Sequence, residues 1–322
     1  MPLTLAEFAE HLDTRKDLAW PAPPEIRPAK ARAHLTRLSD VRVVTWSVYG
    51  TLLNIAGGEL YLVHPQDFMM DLALDKTLQE FKMWKAMTRK PGQPSAQLRL
   101  MYNNVLSELQ FQPANNERHP EIDVARLWEM IVKKLMSNEY TFNASFYGSL
   151  DDYARKIAYF FHASLQGTCC YPGASEAIEY VHERLVVAQG GAQGLLADGQ
   201  CFTALQLERG LLEQGYAIEP AQTLPEHYRC LSYEIRGKKP SERLFREMLR
   251  RLKEQGYEAR EVLHIGSHLL HDVAPARKLG MRTGLFAGDK ASLHASGDLL
   301  KQPNSRPDVL LTDLRQIEEI VG

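Results

Sequence analysis

The 322-residue chain has no apolar run near the roughly 18 residues that a membrane-spanning helix needs. It has no excess of one charge either: 38 basic against 40 acidic side chains leave a formal net charge of −2. That balance gives no reason to expect nucleic acid or an anionic membrane as partner. Cysteine is scarce. The four present, Cys169, Cys170, Cys201 and Cys230, have no metal-ligand spacing, and the neighbours Cys169 and Cys170 could form only a strained bridge. All four read as reduced thiols, which points to a cytoplasmic protein. The first residues, with Glu7, Glu10 and Asp13 among the apolar ones, lack the basic and apolar regions of a signal peptide. Internal repeats and low-complexity tracts are missing as well. What remains is ordinary globular composition, 44% hydrophobic and 24% charged, in a chain able to form one large domain or two smaller ones.

Val41 to Trp46 is dense in β-branched residues and reads as a buried strand, broken by Gly50 in the turn that follows. That turn could offer backbone N–H groups to an anion. Before the strand, Leu5 to Leu12 reads as a short helix, Trp20 to Pro24 as extended chain, and Pro28 to Leu38 as a second helix. After Leu53 more than a hundred residues pass before another α/β unit. Helical spacing recurs over Asp71 to Met87, Ala96 to Leu109, Asp123 to Met136 and Leu150 to Ala163, with a helix stop at Arg89 to Pro94. Tyr171-Pro172-Gly173 marks the return, followed by a helix from Ala174 to Leu185 and a loop or frayed strand over Val186 to Gly194.

From there strands and helices alternate. Strands are expected at Gln193 to Ala197, Tyr228 to Tyr233, Val262 to Gly266, Arg282 to Phe286 and Val309 to Leu311. Helices are expected at Thr203 to Glu213, Ser241 to Gln255, Asp272 to Leu279 and Asp313 to Val321. Such alternation implies an α/β fold, a Rossmann-like parallel sheet covered by helices on both faces. The expected organisation is an extension over 1–40, an α/β core over 41–55 and 171–322, and a helical cap domain over 56–170.

Four segments fall at expected strand ends: Ser47-Val48-Tyr49-Gly50-Thr51, Ala197-Asp198-Gly199, Gly237-Lys238-Lys239-Pro240, and Gly266-Ser267 with Asp272. In order and placement they resemble the four motifs of the haloacid dehalogenase-like (HAD) hydrolase superfamily, over roughly residues 41 to 321. The resemblance implies a cleft at the sheet's carboxyl edge with a cap serving as a lid. It puts Ser47 where the family has its Asp nucleophile, and Lys239 in the place of the functional lysine. Phosphatases of the family carry acids at the positions of Tyr49 and Ser267, whereas dehalogenases have Tyr and Ser there. Ala197 stands where a substrate-binding Ser or Thr is usual. Asp272 matches the surviving acid of the fourth motif, although a helix N-cap or first-turn Asp would be favourable there anyway. Lys238 and Lys239 likewise also fit a solvated pair in a loop.

By this resemblance Ser47, Lys239 and Asp272 form a degenerate catalytic set. Val48, Tyr49, Gly50, Thr51, Ala197, Asp198, Gly199 and Ser267 face the ligand. Magnesium, which the family holds between carboxylates, would keep one first-shell acid at most, so its binding is expected to be lost or weak and no cofactor is expected. His264 lies mid-strand and His268 and His271 on a loop with no fixed common face, so no metal site is expected from them. Two readings stand. One is a HAD-like protein impaired in catalysis that binds a small anionic molecule, or a protein partner, at the old cleft. The other is a hydrolase using Ser47 as nucleophile and Lys239 as base. The Ser47–Lys239 distance, and whether Asp272 pairs with Lys239, separate them.

Overall fold

In a computed structural model, which describes residues 1–87, 93–111 and 117–322, eight strands organise the chain. They are β1 (Val43–Trp46), β2 (Leu53–Asn54), β3 (Cys169–Cys170), β4 (Ala192–Ala197), β5 (Arg229–Leu231), β6 (Val262–Gly266), β7 (Arg282–Phe286) and β8 (Val309–Leu311). Six form one parallel sheet in the order β5-β4-β1-β6-β7-β8. Every residue of β1 is buried, as expected of a central strand in a parallel sheet with both faces covered. The chain order reverses direction at β1, and the ends of β1, β4 and β6 open into the crevice where such sheets bind ligands. Trp46 pairs with Ile265 on β6 and Leu195 on β4, so the first and fourth motif segments leave the sheet side by side.

The antiparallel ribbon β2–β3 carries the chain out of the sheet and back. Between its strands lie the helices Asp67–Glu80, Pro94–Gln110, Val124–Met136 and Leu150–Leu165. They bury a hydrophobic cluster of their own, with Leu74, Tyr102, Trp128, Phe160 and Phe161 at its centre. The N-terminal helix Leu5–Asp13 adds Phe8, Ala9 and Leu12 to that cluster. Thr4 caps it, and Glu7 returns the bond to the Thr4 backbone.

The second expected helix does not form: residues 28–38 run as irregular chain. His34 instead exchanges both backbone hydrogen bonds with Leu310 of β8, at 2.9 and 2.8 Å, which covers the sheet's open edge. Residues 186–194 also differ from expectation. The helix from Ala174 continues as a wide turn over His182–Val187, and β4 starts at Ala192. The third strand stops at Leu231, because Ser232 turns its hydroxyl to the Gly199 N–H and to Glu121. The helix stop expected at Arg89 to Gly92 lies outside the described residues. No helix among the described residues is long and apolar enough to cross a membrane.

Candidate active-site cleft

Ser47 follows the last residue of β1, and its N–H still donates to Ile265 O of β6 at 2.8 Å. The chain then folds back tightly, with Thr51, Leu52 and Leu53 all donating to Val48 O. Gly50 adopts φ +74, and a Cβ there would stand 2.8 Å from Ser267 Oγ and 2.9 Å from Gly58 O. The turn spends the N–H groups of Gly50 and Thr51 on itself, contrary to the expectation that the whole turn faces an anion. Val48 and Tyr49 keep N–H groups with no acceptor among the described residues. Val48, Thr51 and Ala197 are fully buried behind the cleft wall, whereas Ser47, Tyr49, Asp198, Gly199, Lys239, Ser267 and Asp272 line it.

Lys239 is the centre of the site. Its ammonium donates to Ser47 Oγ at 2.9 Å and to Asp272 Oδ1 at 2.5 Å, with the Lys239 side chain 3% and the Asp272 side chain 5% exposed. Asp272 reaches this position from the start of its helix, over a Gly266 whose absent Cβ it almost occupies. Its Oδ2 accepts the His268 N–H at 3.0 Å, and His264 Nε2 lies 3.3 Å from Oδ1. Burial alone would raise the Asp272 carboxyl, but the Lys239 ammonium and His264 outweigh it and hold it well below the usual carboxylate range. Burial keeps His264 below its ordinary value despite the neighbouring carboxylate.

Tyr49 turns away from this cluster. Its hydroxyl donates to Gln206 at 2.6 Å and lies 2.9 Å from Thr203 Oγ1, both on the helix Thr203–Glu213. Burial pushes the phenol up, so it stays neutral. Ser267 is 4% exposed and its hydroxyl has no partner among the described residues. Asp198 Oδ1 accepts the Lys239 N–H at 2.8 Å. Burial pushes its carboxyl up to about 6, against the pull of Lys239.

Sequence reasoning missed several wall residues. Glu121 comes from the segment before the helix Val124–Met136 and accepts from Ser232 Oγ at 2.6 Å. Burial, and then the Asp198 charge, push its carboxyl up to about 7. The same segment is laced to the sheet edge at His119 O with Lys238 N–H, and by Gln200 to Ile122 O and Val124 N–H. His268, His271 and His294 stack face to face, with ring centroids 3.7 and 4.8 Å apart. Burial and the neighbouring imidazole hold His268 down at about 4. Nothing local in the sequence joins Glu121 or His294 to this site; only the fold does. The partly open cleft measures about 120 Å³, the space of roughly ten waters and hence of a small molecule.

Comparison with known proteins bears on the fold. The HAD-hydrolase-like family model matches residues 237–317, the stretch holding Lys239, Ser267 and Asp272. A 2-haloacid dehalogenase from Pseudomonas syringae pv. Tomato DC3000 superposes with a TM-score of 0.53 at 17% identity, over 87% of this chain and 97% of that one. The chain has a HAD-like hydrolase fold. A HAD phosphatase from Thermococcus onnurineus matches at a TM-score of 0.46 and 16% identity, over 87% of this chain and 97% of that one. The putative HAD-hydrolase YfnB from Bacillus subtilis matches at 0.41 and 13%, over 88% and 97%. No curated protein matches in sequence.

We propose that the side chains of this site do not suit the magnesium that the family resemblance implies. Magnesium demands several hard oxygen ligands in octahedral array. Here Ser47 Oγ faces an ammonium, Tyr49 Oη is spent on Gln206, and both Asp272 oxygens are engaged. Among the described residues no three His, Cys, Asp or Glu side chains are grouped to hold a metal. Millimolar magnesium is therefore expected to leave the melting temperature unchanged. A saturable rise that disappears in Asp272→Asn would contradict this.

Proposed function

We propose that this HAD-fold chain is catalytically impaired and binds a small ligand with an anionic group in the cleft at the ends of β1 and β6, in the cytoplasm. The observation that carries this reading is the Lys239 ammonium, which donates to Ser47 while a carboxylate lies 2.5 Å from it. A nucleophilic serine needs a proton acceptor beside it, and here it faces a donor. The hydroxyls of Ser47 and Ser267 and the Tyr49 N–H then remain as donors for an anionic group, with Lys238 at the rim. The small volume of about 120 Å³ favours a small molecule over a protein segment in this cleft. Four free cysteines accord with a reducing compartment.

The second reading, a hydrolase with Ser47 as nucleophile and Lys239 as base, draws on the 2.9 Å separation of the two side chains, which is within proton-transfer reach. It requires Lys239 to take up the serine proton, whereas its side-chain nitrogen already donates to the Asp272 carboxylate at 2.5 Å. Wild-type protein is expected to turn over phosphate esters and 2-haloacids at background rates, and a thermal-shift screen of phosphorylated metabolites and carboxylic acids is expected to return a stabilising ligand. Ordinary enzymatic turnover that vanishes in Ser47→Ala would replace the first reading with the second.

A further inference from the structure

The cleft has a chemical polarity along the sheet edge. On the side of β1 and β6 it presents donors. The Ser47 hydroxyl accepts from Lys239 but has no acceptor for its own hydrogen among the described residues, the Ser267 hydroxyl lines the cleft without a hydrogen bond to them, and the Tyr49 N–H is unused. On the side of β4 and β5 it presents acceptors. Asp198 stands at the end of β4, and Glu121 is held over the end of β5 by Ser232. Neither acid forms an ion pair among the described residues. Asp198 takes a backbone N–H, and Glu121 takes Ser232 Oγ and the Ile122 N–H. Lys239 cannot serve them, since its ammonium is already divided between Ser47 and Asp272. Lys238 is exposed at the rim.

A purely anionic ligand would satisfy the first wall and leave two half-buried acids facing its charge. A purely cationic ligand would do the reverse. We infer that the ligand is a small zwitterion, its anionic group held by Ser47, Ser267 and the Tyr49 N–H and its ammonium by Asp198 and Glu121. This rests on the binding reading above and specifies the ligand class for it. The spacing agrees. Neighbouring strand ends stand about 4.8 Å apart, so donors after β1 and an acid after β4 are separated by about one three-carbon amino acid. The volume of about 120 Å³ sets the same limit on size. An incoming ammonium would add a counter-charge beside both carboxyls, which burial holds above their ordinary range against the pull of the nearby lysines.

Three probes of nearly equal size separate the possibilities by calorimetry at neutral pH: β-alanine, propionate and propylamine. β-Alanine is expected to bind at least about tenfold more tightly than either of the others. In Asp198→Asn and, independently, Glu121→Gln, that preference is expected to collapse while propionate binds better than in wild type. Both substitutions keep an oxygen acceptor for Lys239 N–H or Ser232, so two variants guard against misfolding of one. Propionate binding as tightly as β-alanine would overturn the zwitterion and leave the anion reading standing. Propylamine binding as tightly as β-alanine would overturn both. Binding of none of the three would overturn the inference, and a hit in the wider anion screen would then show that the underlying reading survives it.

Discussion

Lys239→Met is expected to cost the fold about 3–5 kcal/mol at pH 8, the range for removing one partner of a buried ion pair. The loss comes less from the attraction given up than from what stays behind, a carboxylate with 5% of its side chain exposed and no cation within reach. In the native protein Lys239 and His264 hold Asp272 below its unfolded value in spite of burial. Its contribution to stability is therefore present above the unfolded value of about 4 and is lost as pH falls below it. Without Lys239 the sign inverts. Burial then dominates, the carboxyl is pushed above its unfolded value, and ionisation penalises the folded state at all higher pH. Acidification relieves that penalty, so the deficit of the variant should be large at pH 8 and visibly smaller at pH 5. Adding Asp272→Asn removes the stranded charge, keeps an acceptor for the His268 N–H, and should recover most of the loss. Urea unfolding of the three proteins at both pH values reads this directly. A deficit below about 1 kcal/mol at pH 8, or one equally large at pH 5, would show that the pair is not the keystone of the site.

The elements that sequence pattern places well are those with a strong burial pattern of their own, strands covered on both faces or a helix with one continuous apolar face. β6, β7, β8 and the helix Thr203–Glu213 begin and end where alternation and spacing put them. The segment from Pro28 to Leu38 shows the opposite case. Its Ala, Arg and Leu residues favour a helix, yet pairing with the exposed edge of β8 offers backbone bonds that a lone surface helix would not improve on. At the site, Ser47 directly follows β1, while Lys239 and Asp272 come from the segments after β5 and β6, and convergence of strand ends is a property of the sheet. Glu121, 74 residues from Ser47 in sequence, reaches the same cleft only through the packing of the helical unit, and no local pattern announces that. The direction of the Tyr49 hydroxyl was equally invisible, because Thr203 and Gln206 capture it from the helix that follows β4. Those two kinds of residue, one brought in by distant packing and one turned by a distant partner, change the chemistry expected of the cleft.

Restoring catalysis is expected to require three substitutions together. Loss of a nucleophile in a well-studied hydrolase costs about 10⁶ in turnover, roughly 8 kcal/mol of barrier. Ser47→Asp alone supplies a carboxylate, but it supplies it 2.9 Å from an ammonium already bound to Asp272, with no metal ligand at Tyr49 and no hydroxyl at Ala197. Phosphate-ester hydrolysis by that variant should stay near background. Ser47→Asp, Tyr49→Asp and Ser267→Asp together surround the cleft with carboxylates that can share a magnesium ion with Asp272, which should give weak but measurable hydrolysis that chelation abolishes. The same changes carry a stability cost. Like charges are brought together in a buried site, and loss of the tyrosine hydroxyl leaves the Gln206 side-chain oxygen without its partner, about 1–3 kcal/mol by itself. The triple variant should therefore melt below wild type without metal and rise in saturable fashion with magnesium, the reverse of the flat response expected of the native chain. Hydrolysis by the triple variant that persists in chelator, or metal-free stability equal to wild type, would mean that these positions do not converge as the strand ends require.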